Sequence, residues 1–164
     1  MEIERKFLIE DKEKANELMK KYIKSKKTII QDYIYSDIFT AIRKRKIEKD
    51  GENVYVYTVK TGRKGFSVNE YENIITKEQY ELLGLDLNKI TIIKDRYVIP
   101  YIENLKIELD VFHGKYEGIV FAEIEFESES QAEKIQIPEW FGKEIGDKVS
   151  NDMMAKEFID IYKL

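Results

Sequence analysis

Met1-Glu2-Ile3-Glu4-Arg5-Lys6-Phe7-Leu8-Ile9 opens the chain with charge at alternate positions. In an extended backbone side chains alternate between two faces, so Glu2, Glu4 and Lys6 share one side. Ile3 and Phe7 fall on the other side, with Arg5 between them. This period of two marks a strand whose faces differ in chemistry. The pattern returns in Arg43 and Arg45, Glu70 and Glu72, Lys94 and Arg96, Glu108 and Asp110, and Glu123 and Glu125, with Lys60 adding a cation in Tyr57-Thr58-Val59-Lys60. Opposite the later pairs lie Ile107, Leu109 and Val111, then Ile124 and Phe126. Those apolar faces must pack on something, and the short helices are the available partners.

Working outward, the same reading predicts strands over Met1–Ile9, Ile29–Tyr35, Thr40–Glu48, Asn53–Thr61, Phe66–Ile75, Thr91–Ile99, Leu105–Phe112 and Ile119–Glu127. Lys49-Asp50-Gly51-Glu52 is a tight-hairpin signal, because a type I′ turn needs positive φ at both central residues. Asp11 can cap a helix from Lys12 to Tyr22 with Ala15, Leu18 and Met19 as its apolar stripe. Thr76-Lys77-Glu78-Gln79 and Ser128-Glu129-Ser130-Gln131 read as capping boxes. Ser150 or Asn151 caps a final helix, Asp152–Tyr162, with Met153, Phe158, Ile161 and Tyr162 available to pack. The Lys24–Lys27 run reads as a solvated loop, His113 as a strand-end loop residue, and Trp140 and Phe141 as packing residues. The class is α+β around a mainly antiparallel sheet large enough to close. Periodicity alone does not separate a closed barrel from an open or sandwiched sheet.

The chain has 164 residues, enough for a real core, and one domain over 1–164 is expected. Net charge is −4, which does not advertise a nucleic-acid or anionic-membrane partner. There is no cysteine, and His113 is the lone histidine. A metal would therefore sit on carboxylates, which favours a hard ion, Mg²⁺ or Mn²⁺, over Zn²⁺. The first residues do not read as a signal peptide and no apolar run approaches a membrane span, so a cytoplasmic location is expected.

Charged residues are 37% of the chain, so one charged i, i+2 pair is ordinary. The set is less ordinary. Like charges on one strand face repel, yet each pair has one sign and the sign changes from strand to strand. Convergence of these faces would make a cavity with a basic and an acidic wall. Such a cavity suits a polyanion: Arg and Lys grip phosphate oxygens, and divalent cations bridge carboxylates to phosphates. So many charges favour a water-filled tunnel over a dry core.

The motifs, taken in order, resemble the CYTH superfamily, the triphosphate tunnel metalloenzymes. Glu2-Ile3-Glu4-Arg5-Lys6-Phe7 is similar to the ExExK opening, and Ile42-Arg43-Lys44-Arg45 to the R-x-R strand. Tyr57-Thr58-Val59-Lys60 resembles T-x-K, Glu70-Tyr71-Glu72 resembles E-x-E, and Lys94-Asp95-Arg96-Tyr97 resembles K-x-R-Y. Glu108-Leu109-Asp110-Val111-Phe112 resembles ELDVF, and Ala122-Glu123-Ile124-Glu125-Phe126 the AEIEF-type strand. Pro138-Glu139-Trp140-Phe141-Gly142, followed by Asp147-Lys148, resembles the C-terminal stretch. Three positions depart from the family pattern: Val68 follows Ser67 where Arg is frequent, and Val149-Ser150 replaces an Arg-Tyr.

The resemblance implies a closed eight-stranded antiparallel β-barrel with short flanking helices, binding a triphosphate with Mg²⁺ or Mn²⁺. It implies that Lys6, Arg43, Arg45, Lys60, Lys94, Arg96 and Lys148 grip the substrate. Glu2, Glu4, Glu123, Glu125 and Asp110 would hold metal, and Glu70, Glu72 and Glu108 would complete the acidic wall directly or through water. Lys6, Glu123 and Glu125 are the catalytic candidates. The compact length looks most like the bacterial tripolyphosphatase branch, so the expected reaction is hydrolysis of inorganic tripolyphosphate by a monomer or homodimer. The alternatives are a thiamine or nucleoside triphosphatase, a class IV adenylyl cyclase, a non-catalytic polyphosphate or nucleotide binder, and a plain interaction barrel with its charges in solvent.

Overall fold

In the computed structural model, which describes residues 1–84 and 90–164, the strands close on themselves. They are β1 (Glu2–Leu8), β2 (Lys27–Ser36), β3 (Thr40–Lys49), β4 (Glu52–Lys64), β5 (Ser67–Ile75), β6 (Ile92–Pro100), β7 (Lys106–His113) and β8 (Val120–Glu125). The ring order is β1-β5-β4-β3-β2-β6-β7-β8, and every neighbouring pair is antiparallel. Closure removes the sheet edges, which settles the alternative that periodicity leaves open. The β3–β4 turn has Asp50 at φ 52° and Gly51 at φ 79°, the two positive values that Asp-Gly accommodates.

The outward apolar faces of β1, β6, β7 and β8 are covered by helices. Helix α1 (Lys12–Lys21) is capped by Asp11, which accepts from the Lys14 amide, and buries Ala15 and Leu18. Helix α3 (Glu129–Lys134) buries Ala132. These join Phe7, Leu109, Ala122 and Ile124 in one core, with Trp140 and Phe141 packed against it. Helix α2 (Lys77–Leu82) carries the full reciprocal capping box between Thr76 and Gln79. At α3 half of that motif forms: Ser128 caps the Gln131 amide, while the Gln131 side chain takes the amide of Glu127. No helix among the described residues is long and apolar enough to cross a membrane.

A second core lies where the inward faces turn from charged to apolar. Leu8, Tyr33, Ile92, Phe112 and Phe121 meet Ile145, Val149, Met154, Ala155 and Ile161 from the C-terminal segment. The final helix is much shorter than its pattern predicts: α4 spans Asn151–Lys156, Glu157 is extended, and a 3₁₀ turn takes Ile161–Lys163. Met154, Ala155 and Ile161 face the core, whereas Met153, Phe158 and Tyr162 stay exposed. At the break the Tyr116 hydroxyl donates to the carbonyls of Met154 and Glu157 and accepts from the Ile159 amide at 3.2 Å.

The stretch Gly142–Ile145 runs beside β1 where β5 has stopped pairing with it. β5 pairs with Glu2 and Ile3 alone, and the amides of Leu8, Gly142 and Ile145 then bond to carbonyls of Lys143, Leu8 and Lys6. A Cβ on Gly142 would lie 2.6 Å from the Leu8 carbonyl oxygen. Gly142→Ala is therefore expected to cost about 1–3 kcal/mol, read as a lower melting temperature. A melt unchanged from wild type would show that this approach is not needed.

Candidate active site

The barrel encloses a cavity of about 920 Å³. Strand alternation brings most of the predicted site residues to its wall. Glu2, Glu4 and Lys6 come from β1, Arg43 and Arg45 from β3, and Lys60 from β4. Glu70 and Glu72 come from β5, Lys94 and Arg96 from β6, Glu108 from β7, and Glu123 and Glu125 from β8. Lys148 reaches the wall from the C-terminal segment. Lys44, out of phase with its neighbours, points outward and donates to the carbonyls of Tyr80 and Leu83 at 2.8 and 3.1 Å, where α2 ends.

Asp110 lies apart from the others, beneath the wall and fully buried. Its two oxygens accept from Arg96 Nε at 2.7 Å and Nη2 at 2.8 Å, a bidentate fork. Lys94 Nζ stands 2.9 Å from the same carboxylate. Arg96 then reaches Glu108 at 2.9 Å and Glu123 at 3.8 Å. Burial pushes the Asp110 carboxyl up, but the charges and hydrogen bonds of Arg96 and Lys94 outweigh it and hold the group well below the usual range.

The buried cations divide: two are held below their ordinary range, while for Arg96 the charges of Asp110 and Glu108 outweigh burial and raise it. Burial pushes the Arg45 guanidinium down to about 10, and the charges of Arg43 and Arg96 push the same way. Burial likewise brings the Lys94 ammonium down to about 7, with Asp110 opposing and Arg96 and Arg45 reinforcing. Arg43 Nε is buried without a hydrogen-bond partner. An anion in the cavity would relieve all three.

On the acidic side, burial raises the Glu125 carboxyl, and the charges of Glu2, Glu108, Glu4 and Glu70 raise it further. Such a concentration of like charge suits a bound cation. Glu2 Oε2 and Glu70 Oε2 are buried with no hydrogen bond; each meets the Lys60 ammonium, at 2.9 and 3.5 Å. Among the described residues no three acidic side chains form a ready cage for an ion. The donor set is all oxygen, the kind that a hard divalent ion takes.

Several wall residues carry no motif that announced them. Lys27 begins β2 and faces the cavity, which corrects the solvated-loop reading of Lys24–Lys27 at its last residue. Its phase with Ile29, Gln31 and Tyr33 was the available signal. Arg63 follows Gly62, whose φ of 65° sits at the irregularity where β4–β5 pairing jumps from Thr61 to Lys64. That jump brings Arg63 to the wall across from Val68, which also lines it. Val149 is a core residue, 1% exposed. His113, ending β7, is outside the cavity lining, between Asp95 at 2.8 Å and Glu117 at 3.2 Å.

Comparison with known proteins agrees with this geometry. The model of the CYTH domain matches residues 1–151. An inorganic triphosphatase of Nitrosomonas europaea is 35% identical over 91 residues, 56% of this chain and 60% of that protein. An inorganic triphosphatase of Acetivibrio thermocellus is 36% identical over 116 residues, 70% of each. The crystal structure of the inorganic triphosphatase NE1496 superposes with a TM-score of 0.58 at 26% identity, covering 96% of this chain and 95% of that one.

Proposed function

This chain belongs to the CYTH family, and we propose that it hydrolyses inorganic tripolyphosphate to pyrophosphate and phosphate with the help of Mg²⁺ or Mn²⁺. The observation that carries the reading is the cavity itself, where buried cations face carboxylates that repel one another.

Lys6, Arg43, Arg45, Lys60, Lys94 and Arg96 bind the phosphate oxygens, and Lys148 adds a contact from the C-terminal segment. Glu2, Glu4, Glu123 and Glu125 hold the metal, and Glu70, Glu72 and Glu108 extend the acidic wall. When bound, the ion offsets charge on the phosphates and on the leaving group. Asp110 is assigned a different task from metal binding, since both its oxygens are engaged by Arg96 and Lys94. The residues hold the chain in line so that a water oxygen bonds to a terminal phosphorus. The bridging P–O bond breaks, and its electron pair leaves with pyrophosphate. Lys6 acts as a phosphate ligand, and the water proton passes to a carboxylate of the acidic wall. The setting proposed is the cytoplasm, with the protein a monomer or homodimer.

The test is phosphate release from tripolyphosphate, thiamine triphosphate and ATP with Mg²⁺, with Mn²⁺ and in EDTA. Fastest release from tripolyphosphate, abolished by EDTA, is expected. Activity that persists in EDTA would remove the metal from the scheme, and cyclic AMP from ATP would replace hydrolysis with cyclisation. One observation favours an organic triphosphate as a second reading. Ile38 and Phe39, 88% and 70% exposed, stand at the rim of the same cavity in the β2–β3 turn. Asp37 holds that turn by accepting from the amides of Phe39 and Thr40 at 2.8 and 2.7 Å. Faster turnover of thiamine triphosphate or ATP than of tripolyphosphate would decide for it.

A further inference from the structure

Behind the basic wall sits a neutral side chain with no exposure, Gln31 on β2. It pairs across the ladder with Arg45, as Tyr33 pairs with Arg43. Arg45 Nε lies 2.5 Å from Gln31 Oε1, and because a guanidinium donates only, this contact fixes which end of the amide is oxygen. The amide nitrogen then has two hydrogens to place. One goes to the Tyr33 hydroxyl oxygen at 2.5 Å and the other toward Asn151 Oδ1 at 3.5 Å. Tyr33 in turn hydrogen-bonds Arg43 and favours its charged form. Asn151, at the start of α4, accepts from Lys94 Nζ at 2.8 Å.

We infer that Gln31 is a positioning residue for triphosphate binding, setting Arg45 directly, Arg43 through Tyr33 and Lys94 through Asn151. The inference rests on the proposed triphosphate site. Its chemical logic lies in the neutrality of the amide. A carboxylate at this place would orient the same guanidinium but also neutralise it, so less of its field would reach the ligand. An amide orients and leaves the charge available. Gln31 also joins three cations that repel one another, so its dipole helps hold together an arrangement the ligand has yet to stabilise.

The experiment is calorimetric titration with inorganic tripolyphosphate, without divalent ion, of wild type, Gln31→Met and Gln31→Glu, with thermal melts alongside. Gln31→Met keeps the length and removes the polar atoms. It should bind about tenfold more weakly or worse, since hydrogen bonds to charged groups are lost. Gln31→Glu keeps the acceptor for Arg45. It should melt no lower than wild type yet bind at least about tenfold more weakly, because its charge competes with the ligand. A residue that served folding alone would, once folded, bind normally as methionine. Affinity within about twofold of wild type in either folded variant overturns the inference. Phosphate release is measured separately: a wild type that binds tripolyphosphate without cleaving it sinks the hydrolase reading and leaves the Gln31 comparison decisive. A wild type that neither binds it nor releases phosphate from it overturns both.

Discussion

Glu123→Gln is expected to lower metal-dependent phosphate release from tripolyphosphate by about a hundredfold or more while the protein melts near the wild-type temperature. Glu123 is buried on β8, and its oxygens stand 3.8 Å from Lys6 Nζ and from Arg96 Nη2. Those are loose contacts, so the carboxylate retains capacity for a cation. Glutamine has nearly the same shape and loses the charge that would hold the ion. The same change removes a negative charge from a cavity that takes up an anion. Tripolyphosphate affinity measured without divalent ion should therefore stay the same or rise. Loss of turnover with retained binding would separate a metal role from a folding role. Near-wild-type turnover would sink the assignment of Glu123 to the metal.

Asp110→Asn is expected to destabilise the fold by about 3–5 kcal/mol, the usual cost of removing one partner from a buried ion pair. At this chain length that is a drop of about 6–20 °C in melting temperature. The reason is local: Asp110 is fully buried, and its removal leaves Arg96 and Lys94 without their shared counter-charge. The pH dependence follows from the depressed carboxyl. A group whose folded pKa lies below its unfolded value contributes stability that is present above the unfolded value, about 4. That contribution is lost as pH falls through the folded value, which here lies well below the usual carboxylate range. The gap in stability between wild type and Asp110→Asn should therefore be full at neutral pH and shrink as the medium becomes strongly acidic. A gap that stays constant from neutral to strongly acidic pH would contradict the ion-pair account.

The alternation in Glu2–Lys6, Arg43–Arg45 and Glu123–Glu125 was enough to place these side chains on one face of each strand, because a strand repeats every two residues. It also placed Ile107, Leu109 and Ile124 on the other face, and the structure covers that face with α1 and α3. The Asp50-Gly51 turn and the caps at Asp11, Thr76 and Ser128 were legible for the same reason: each is a short-range requirement met by the residue itself. Tertiary structure alone decided the rest. Closure of the ring depends on pairing between strands far apart in the chain, such as Glu4 with Glu125, which no local period encodes. Asp110 shares its phase with Glu108, yet depth in the barrel puts Glu108 on the wall and Asp110 under it, bonded to two cations. The short α4 and the buried Val149 follow from the shape of the space they fill. Gln31 carries no charge, and its phase with Lys27 and Tyr33 gives it a face but no role; its part emerges only once Arg45, Tyr33 and Asn151 converge on it. The alternation of charge along each strand thus determined which side chains could face a polyanion. Which of them meet it, and which hold the others in place, was decided by register and depth, because those are properties of the closed barrel and not of any one strand.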